Sequence, residues 1–540
     1  MKKQAPGNSP QYLRSRVGKV CVAITGSTAA EMVDRAEAVV KENPFLEFRI
    51  DYLDKPLLAL PKLKQFLADH SQAIAIATCR RESNGGRFKG TVASEVEVLE
   101  KAAGAGFHLV DIELQSAETL KKPGVEKLAS HGAGLLISYH DFEATHDLDA
   151  IFERILPFDP TFVKIVPTAK TLSDNITLMR FLESSADRAD VIGICMGDYG
   201  LISRVLGVRA GSLFTFASAT VGEETGPGQI AARTLVETYR IDQVDRATKV
   251  YGVAGNPIKH SLSPIMMNTA FRRETVNAVY LALQTSKLSD LMHLVKEVPL
   301  QGLSVTMPLK QEIVKHMERT DSLSVKIGAI NTVSRMPDGK LYGFNTDVAG
   351  IVGPLEKRLP LRGAKVLVMG AGGSGRAAVF ALRDKGAEVF LLNRTAPTAA
   401  KLAKESGAKI MKREAMAKTT FDVIINATPV GQAGQKVQSL LEPDEMNASY
   451  VFDFVYNPVE TPLIRMARQK SIGIITGVEM FVQQGARQFE IWTGKPAPEE
   501  EMLRVVIHAL RQQAEAETAG KDASTEGDEA KAARKAKVRG

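Results

Sequence analysis

Between residues 17 and 240, short apolar runs alternate with stretches whose apolar residues recur every third or fourth position. The runs are KVCVAIT (19–25), FLEFRID (45–51), AIAIATCR (73–80), HLVDIEL (108–114), LLISYHD (135–141), FVKIVPT (162–168), VIGICMG (191–197) and SLFTFAS (212–218). Rich in β-branched and aromatic residues, they read as strands. AAEMVDRAEAVVKE, SEVEVLEKAAGAG and NITLMRFLESS read as amphipathic helices between them, and IAARTLVETYR as one more after the last run. Such alternation implies a parallel sheet. Eight units in about 225 residues is the size of a (β/α)8 TIM barrel. The first half is therefore expected to be an α/β barrel.

Polar residues gather where these strands end. Glu47, Arg49 and Asp51 end the second, Arg80 the third, Asp111 and Glu113 the fourth, His140 and Asp141 the fifth, and Arg204 follows the seventh. Barrel active sites form at the C-terminal strand ends. Lys164 lies inside the apolar sixth run, where neither face of a barrel strand meets water. Burial and cations such as Arg49, Arg80 and Arg204 are expected to lower its pKa. A neutral amine attacks ketones to form a Schiff base. The arginines suit an anionic, carboxylate-bearing substrate, and His140 is the proton-transfer group one strand away.

EFRID, TCR, DIEL, SYHDF, VKI, MGDYGLISR and TGPGQI, in this order, resemble type I 3-dehydroquinate dehydratases over residues 17–240. The resemblance implies that Lys164 forms an imine with the substrate ketone, and that His140 takes the α-proton and then assists loss of the hydroxyl as water. It implies substrate contacts from Glu47, Arg49, Arg80, Arg204 and Gln229, with Thr225 standing where the family often has serine. Glu113 is the candidate to orient His140.

A connector, RIDQVDRATK, leads to a new strand, VYGVAGNP. VLVMGAGGSGRAAVFAL (366–382) then reads as strand, glycine turn and helix. Gly370 allows the tight turn, Gly372 and Gly373 the approach of a pyrophosphate, and Gly375 close helix–strand packing, with helix amides facing the phosphates. The next strand, EVFLLNRT (388–395), ends in Asn393, Arg394 and Thr395, where NAD sites carry an acid. An arginine there binds a 2′-phosphate, so NADP is expected.

HSLSP (260–264), LSVTMPLKQE (303–312), GAINT and GFNTD supply Ser261, Ser263, Thr306, Lys310, Asn331, Asn345 and Asp347. With NATPVG, DFVYNPVETP and GVEMFVQQGA, they resemble shikimate dehydrogenases over residues 248–510. The resemblance implies that Ser261, Ser263, Thr306, Asn331, Asp347, Tyr456 and Gln484 bind carboxylate and hydroxyls, that Lys310 and Asp347 are the catalytic pair, and that Gly370, Ala371, Gly372, Gly373, Ser374, Gly375, Asn393, Arg394, Thr395 and Gly477 bind the cofactor. Ser304 departs from the asparagine of many single-domain members. The two resemblances together are those of fused enzymes in plants and some bacteria.

The expected order is a flexible end (1–16), a barrel (17–240), an α/β substrate-binding domain (248–350), a Rossmann NADP-binding domain (351–490), a C-terminal helix returning to the substrate domain (491–513) and a disordered tail (514–540). The tail has no large apolar residue except Val538. Apolar residues are 44% and charged residues 24%, an ordinary soluble balance, and no run approaches the roughly 18 apolar residues of a membrane span. The formal charge is +7, partly from the N-terminal Lys2, Lys3, Arg14 and Arg16, and no basic, aromatic-rich face argues for nucleic acid. Cys21, Cys79 and Cys195 have no metal-ligand spacing, which suggests a reducing compartment, the cytoplasm, and no metal. The partners expected are the small molecules 3-dehydroquinate, 3-dehydroshikimate and shikimate; monomer and homodimer both stay open. Rival readings are a class I aldolase barrel, a non-catalytic sensor and a reductase that prefers quinate.

Overall fold

Eight parallel strands open the chain: β1 (Val20–Ile24), β2 (Phe45–Arg49), β3 (Ile74–Thr78), β4 (Leu109–Glu113), β5 (Gly134–His140), β6 (Phe162–Val166), β7 (Val191–Gly193) and β8 (Thr215–Ser218). In this computed structural model, which describes residues 9–259, 261–433 and 439–515, they pair in the order β7-β6-β5-β4-β3-β2-β1-β8. The seam between β7 and β8 has no continuous ladder; the Leu213 N–H donates to the Val191 carbonyl (2.9 Å) and the Gly193 N–H to Ser212 Oγ (3.1 Å). The barrel is thus nearly closed.

Apolar side chains from the early strand positions, among them Phe45, Ile74, Leu109 and Phe162, form one buried cluster. Charged residues come later on the same strands, which fixes the site at the C-terminal end. Leu13 joins that cluster, fully buried. It comes from a helix, Pro10–Arg16, capped by Ser9, so the end expected to be loose through residue 16 is ordered from here by one buried leucine. Residues 1–8 lie outside the described residues. The expected helix IAARTLVETYR contains a five-residue π-helix, Thr234–Thr238, rather than a regular α-helix over its length; the ladder bridge Ser218–Ala231 takes its first residues into the sheet edge.

The chain divides into two compact units, one spanning Met1–Lys259 and Asn277–Leu300, the other His260–Val276 and Gln301–Gly540. The first therefore also holds the parallel pair β9 (Lys249–Gly255) and β10 (Ala278–Gln284). A helix, Leu288–Glu297, fastens this pair to the barrel helix Leu172–Ser185: Asp290 accepts the Leu172 and Ser173 N–H groups (2.9 and 3.2 Å), capping it.

The second unit holds β11 (Leu300–Val305), β12 (Arg319–Thr320), β13 (Thr332–Arg335) and β14 (Leu341–Phe344), with β13 antiparallel to β11 and β14. It also holds β15 (Lys365–Met369), β16 (Glu388–Leu392), β17 (Lys409–Ile410), β18 (Phe421–Asn426), β19 (Ala448–Asp453) and β20 (Gly473–Ile475), all parallel in the order β17-β16-β15-β18-β19-β20. That is the doubly wound dinucleotide-binding order, whose switch point lies beside the first strand, β15. A last helix, 499–515, buries Met502 and Val506. Of the expected tail, residues 516–540 lie outside the described residues.

Candidate active sites

Glu47, Arg49, Arg80, His140, Lys164, Arg204, Thr225 and Gln229 line one pocket in the barrel, together with Gly85, Phe142 and Phe216. The eight barrel residues expected to be catalytic or to contact substrate are therefore brought together. Lys164 is 4% exposed. Its Nζ lies 3.1 Å from Asp111 Oδ2, 3.6 Å from Glu47 Oε1 and 3.8 Å from the centre of the Phe216 ring. The nearest charges are carboxylates, where the sequence led to the guanidiniums. The guanidiniums have partners of their own: Arg49 pairs with both oxygens of Asp51 (2.9 and 2.8 Å), and Arg80 with Asp111 (2.9 Å) and Glu113 (3.3 Å). Burial works against the Asp111 carboxylate, but Arg80, Lys164 and His140 outweigh it and hold its pKa below the usual carboxylate range.

The tautomer of His140 follows from its neighbours. Glu113 Oε2 lies 3.0 Å from Nδ1, and Arg80 Nη1 lies 3.3 Å from Nε2. A carboxylate only accepts and a guanidinium only donates, so the proton sits on Nδ1 and Nε2 presents its lone pair. Burial, then Arg80, pushes the imidazole down to about 4. Dehydratase kcat/KM should therefore hold level through pH 6.5 and fall only as the pH approaches about 4, losing roughly tenfold per unit below it. A limb centred on pH 6.5 in a pH–rate profile would contradict this geometry.

Two residues in this network, Ser138 and Thr78, escaped the sequence reading, and Asp111 was named there only as a charge ending its strand. Asp111 bridges Lys164 and Arg80, Ser138 Oγ donates to Asp111 Oδ1 (2.5 Å), and Thr78 Oγ1 donates to Glu47 (2.8 Å). Their signal was alternation: Ser138 stands two residues before His140 on β5, and Asp111 two before Glu113 on β4. Arg204 is buried, its Nε lacks a partner, and burial pushes it down to about 10. Its Nη2 donates to the Pro227 carbonyl (3.1 Å), and no carboxylate pairs with it among the described residues.

In the second unit Lys310 Nζ lies 2.6 Å from Asp347 Oδ2, and Asn331 Nδ2 donates to Asp347 Oδ1 (2.8 Å) and approaches Gln484 Oε1 (3.5 Å). Ser304 Oγ donates to Gln488 (2.7 Å), whose Nε2 donates to the Asn331 carbonyl (3.2 Å) and to Thr332 Oγ1 (3.0 Å). Gln488, four residues beyond Gln484 on the same helix face, was missed. Ser263 N–H donates to Ser261 Oγ (3.3 Å), at the start of the helix Ser263–Arg273. Thr306 starts the turn that carries Lys310, its carbonyl accepting the Leu309 N–H (2.9 Å). Asn345 donates to the Ala329 carbonyl (2.8 Å). Tyr456 stacks on Phe481 (4.7 Å).

The glycine loop leaves β15 with Gly370 at φ +111°, its N–H bonded to the Leu392 carbonyl (2.9 Å) at the end of β16. A Cβ at Gly375 would stand 2.2 Å from the Gly370 carbonyl, so helix and strand need the bare backbone. A Cβ at Gly372 would meet nothing within 4 Å, which leaves open room at the start of the helix Gly373–Asp384. Ala371 is buried in the loop between them. Asn393 donates to the Thr395 carbonyl (3.0 Å); Arg394 and Thr395 are exposed, and Arg394 has no ion pair among the described residues. Gly477 opens the helix Gly477–Thr493 against the Val455 carbonyl. These features fit a phosphorylated dinucleotide. Among the described residues no helix is long and apolar enough to cross a membrane, and no cluster of acidic, His or Cys side chains is built to hold a metal ion.

A type I 3-dehydroquinase profile matches residues 20–246, a shikimate dehydrogenase substrate-binding profile 253–333, a shikimate/quinate 5-dehydrogenase profile 355–453 and a shikimate 5'-dehydrogenase C-terminal profile 477–507. The chloroplastic bifunctional 3-dehydroquinate dehydratase/shikimate dehydrogenase of Arabidopsis thaliana is 32% identical over 515 residues, covering 89% of this chain and 83% of that one. This chain belongs to that bifunctional family. It is a type I dehydroquinate dehydratase, of the Schiff-base class, joined to a shikimate dehydrogenase, and it serves the shikimate pathway. The aldolase and sensor readings fall with that membership. The dehydrogenase half is also 40% identical over 275 residues to the Shikimate dehydrogenase (NADP(+)) of Pyrococcus furiosus, covering 50% of this chain and 99% of that protein. A solved shikimate 5-dehydrogenase of Thermus thermophilus, in complex with NADP(H) and shikimate, is 35% identical, covers 48% of this chain and 100% of its own, and has a TM-score of 0.46.

Proposed function

We propose that Lys164 of the dehydratase half adds to the ketone of 3-dehydroquinate and loses water to form an imine. His140 Nε2 takes the α-proton, and the resulting imidazolium delivers it to the departing hydroxyl. Hydrolysis of the imine returns the amine and releases 3-dehydroshikimate. Arg204 and Arg49, with Arg80, Glu47, Thr225 and Gln229, bind the carboxylate and hydroxyls. The observation that carries this reading is a buried amine beside carboxylates in the same pocket as an imidazole whose Nε2 carries the lone pair, 3.3 Å from Arg80 Nη1.

In the dehydrogenase half NADPH supplies hydride. Lys310 donates the proton to the carbonyl oxygen of 3-dehydroshikimate, and Asp347, held by Asn331, orients the hydroxyl that forms. Ser261, Ser263, Thr306, Asn331, Tyr456 and Gln484 bind the substrate carboxylate and hydroxyls. We assign the dehydratase to 17–240, the substrate domain to 248–350, the NADP domain to 351–490 and the closing segment to 491–513, whose helix begins only at residue 499. Three unpaired, buried cysteines support a cytoplasmic enzyme.

Feeding 3-dehydroquinate and NADPH to the full chain should yield shikimate; accumulation of 3-dehydroshikimate, or a higher kcat/KM on quinate with NADP, would reject the second step as written. The exposed Arg394 reads the 2′-phosphate. Arg394→Ala should weaken NADPH by about tenfold to a hundredfold, the worth of a charged hydrogen bond, and change NADH little. Specificity constants for both cofactors check this, and equal losses would mean that Arg394 only supports the loop.

A further inference from the structure

The dinucleotide loop touches the catalytic pair directly. Ser374, in the first turn of the helix that follows the loop, has its Oγ 3.4 Å from Lys310 Nζ and 3.3 Å from Asp347 Oδ2. An ammonium only donates and a carboxylate only accepts, so the hydroxyl accepts from one and donates to the other. Beside it the backbone of Gly373 packs on the lysine stem: a Cβ there would stand 3.2 Å from Lys310 Cδ. Lys310 is thus held by Asp347 on one side and by two loop residues on the other. Alanine at 374 would keep the backbone amide in the first turn of the helix and lose only the bridge.

We propose that Ser374 is a positioning residue of the reductase. It ties the Lys310–Asp347 pair to the dinucleotide loop, so that the aim of the lysine's proton is set from the cofactor side. This rests on the reading of Lys310 and Asp347 as the catalytic pair. Ser374 reaches the reaction only through those two side chains.

The test compares Ser374→Ala, Ser374→Thr and Lys310→Ala in the full chain, assayed for 3-dehydroshikimate reduction and for NADPH binding by fluorescence titration. Ser374→Ala should lower kcat about fivefold to tenfold, the loss of one modest hydrogen bond. NADPH affinity should stay within about twofold and the dehydratase rate should not change, because neither depends on the hydroxyl. Threonine restores a hydroxyl and should bring kcat back to within about twofold. A wild-type kcat in Ser374→Ala, an equal weakening of NADPH, or a loss that threonine does not restore would overturn the proposal. If Lys310→Ala is inactive while Ser374→Ala is fully active, only the role of Ser374 is rejected. If Lys310→Ala is itself active, the catalytic pair is rejected and the role of Ser374 goes with it.

Discussion

Lys164→Ala should abolish dehydration of 3-dehydroquinate, by at least about a thousandfold, while 3-dehydroshikimate is still reduced at the wild-type rate. Losing a nucleophile that acts as a unit with its base costs nearly the whole of the catalysis. Alanine, however, also leaves Asp111 and Glu47 without the ammonium that stood 3.1 and 3.6 Å away. Breaking a buried pair costs about 3–5 kcal/mol, so a misfolded barrel could mimic an inactive one. Lys164→Arg separates the two causes, because it keeps a positive charge toward Asp111 and has no nucleophilic amine. It should be as inactive as alanine and nearer wild type in thermal stability. Borohydride added with 3-dehydroquinate should reduce the imine and leave a stable adduct on the wild-type peptide that contains Lys164. An adduct on a different lysine, or a dehydratase that survives Lys164→Arg, would sink the assignment.

The second large effect belongs to the other half. Lys310→Ala removes the proton donor, and general acid catalysis is worth about a hundredfold to ten-thousandfold. kcat for 3-dehydroshikimate reduction should fall within that range, with NADPH affinity little changed and the dehydratase untouched. Asp347→Asn should fall comparably, since it removes the negative charge 2.6 Å from the lysine while its amide oxygen still accepts from Asn331. Steady-state kinetics of both variants decide this. If both keep more than about a tenth of wild-type kcat, other groups carry the proton.

The barrel was legible because a parallel strand covered on both faces is apolar throughout, and eight such runs with helices between them have few alternatives. The strand ends were less so. VIGICMG reads as one strand to residue 197, yet β7 stops at Gly193; Met196 instead bridges to Thr168, and Gly197 turns at φ +84°. The chemistry showed the same split. Residue types at strand ends pointed to Lys164, His140 and the arginines, but which charge meets which did not. Arg80 finds Asp111 thirty-one residues away, and Lys164 finds it fifty-three away. No local pattern encodes such a pairing. The spacing of the glycine loop was legible for the opposite reason: its turn, its bare backbone and its helix are adjacent in the chain. The contact of Ser374 with Lys310, across sixty-four residues, was not.

The seam between β7 and β8 gives the barrel an uneven cohesion. Strand pairs elsewhere hold each other through ladders, whereas this joint relies on one backbone bond and a serine hydroxyl. Amides along a joint of this kind open to solvent exchange at lower free energy than those within a ladder. The segment that leaves the other end of β8 carries Thr225 and Gln229, both lining the pocket, and is tied back by the Gly197 N–H to the Pro227 carbonyl (3.0 Å). The Leu213 and Gly193 amides should therefore exchange before those of the ladder strands, and they report the opening of this joint.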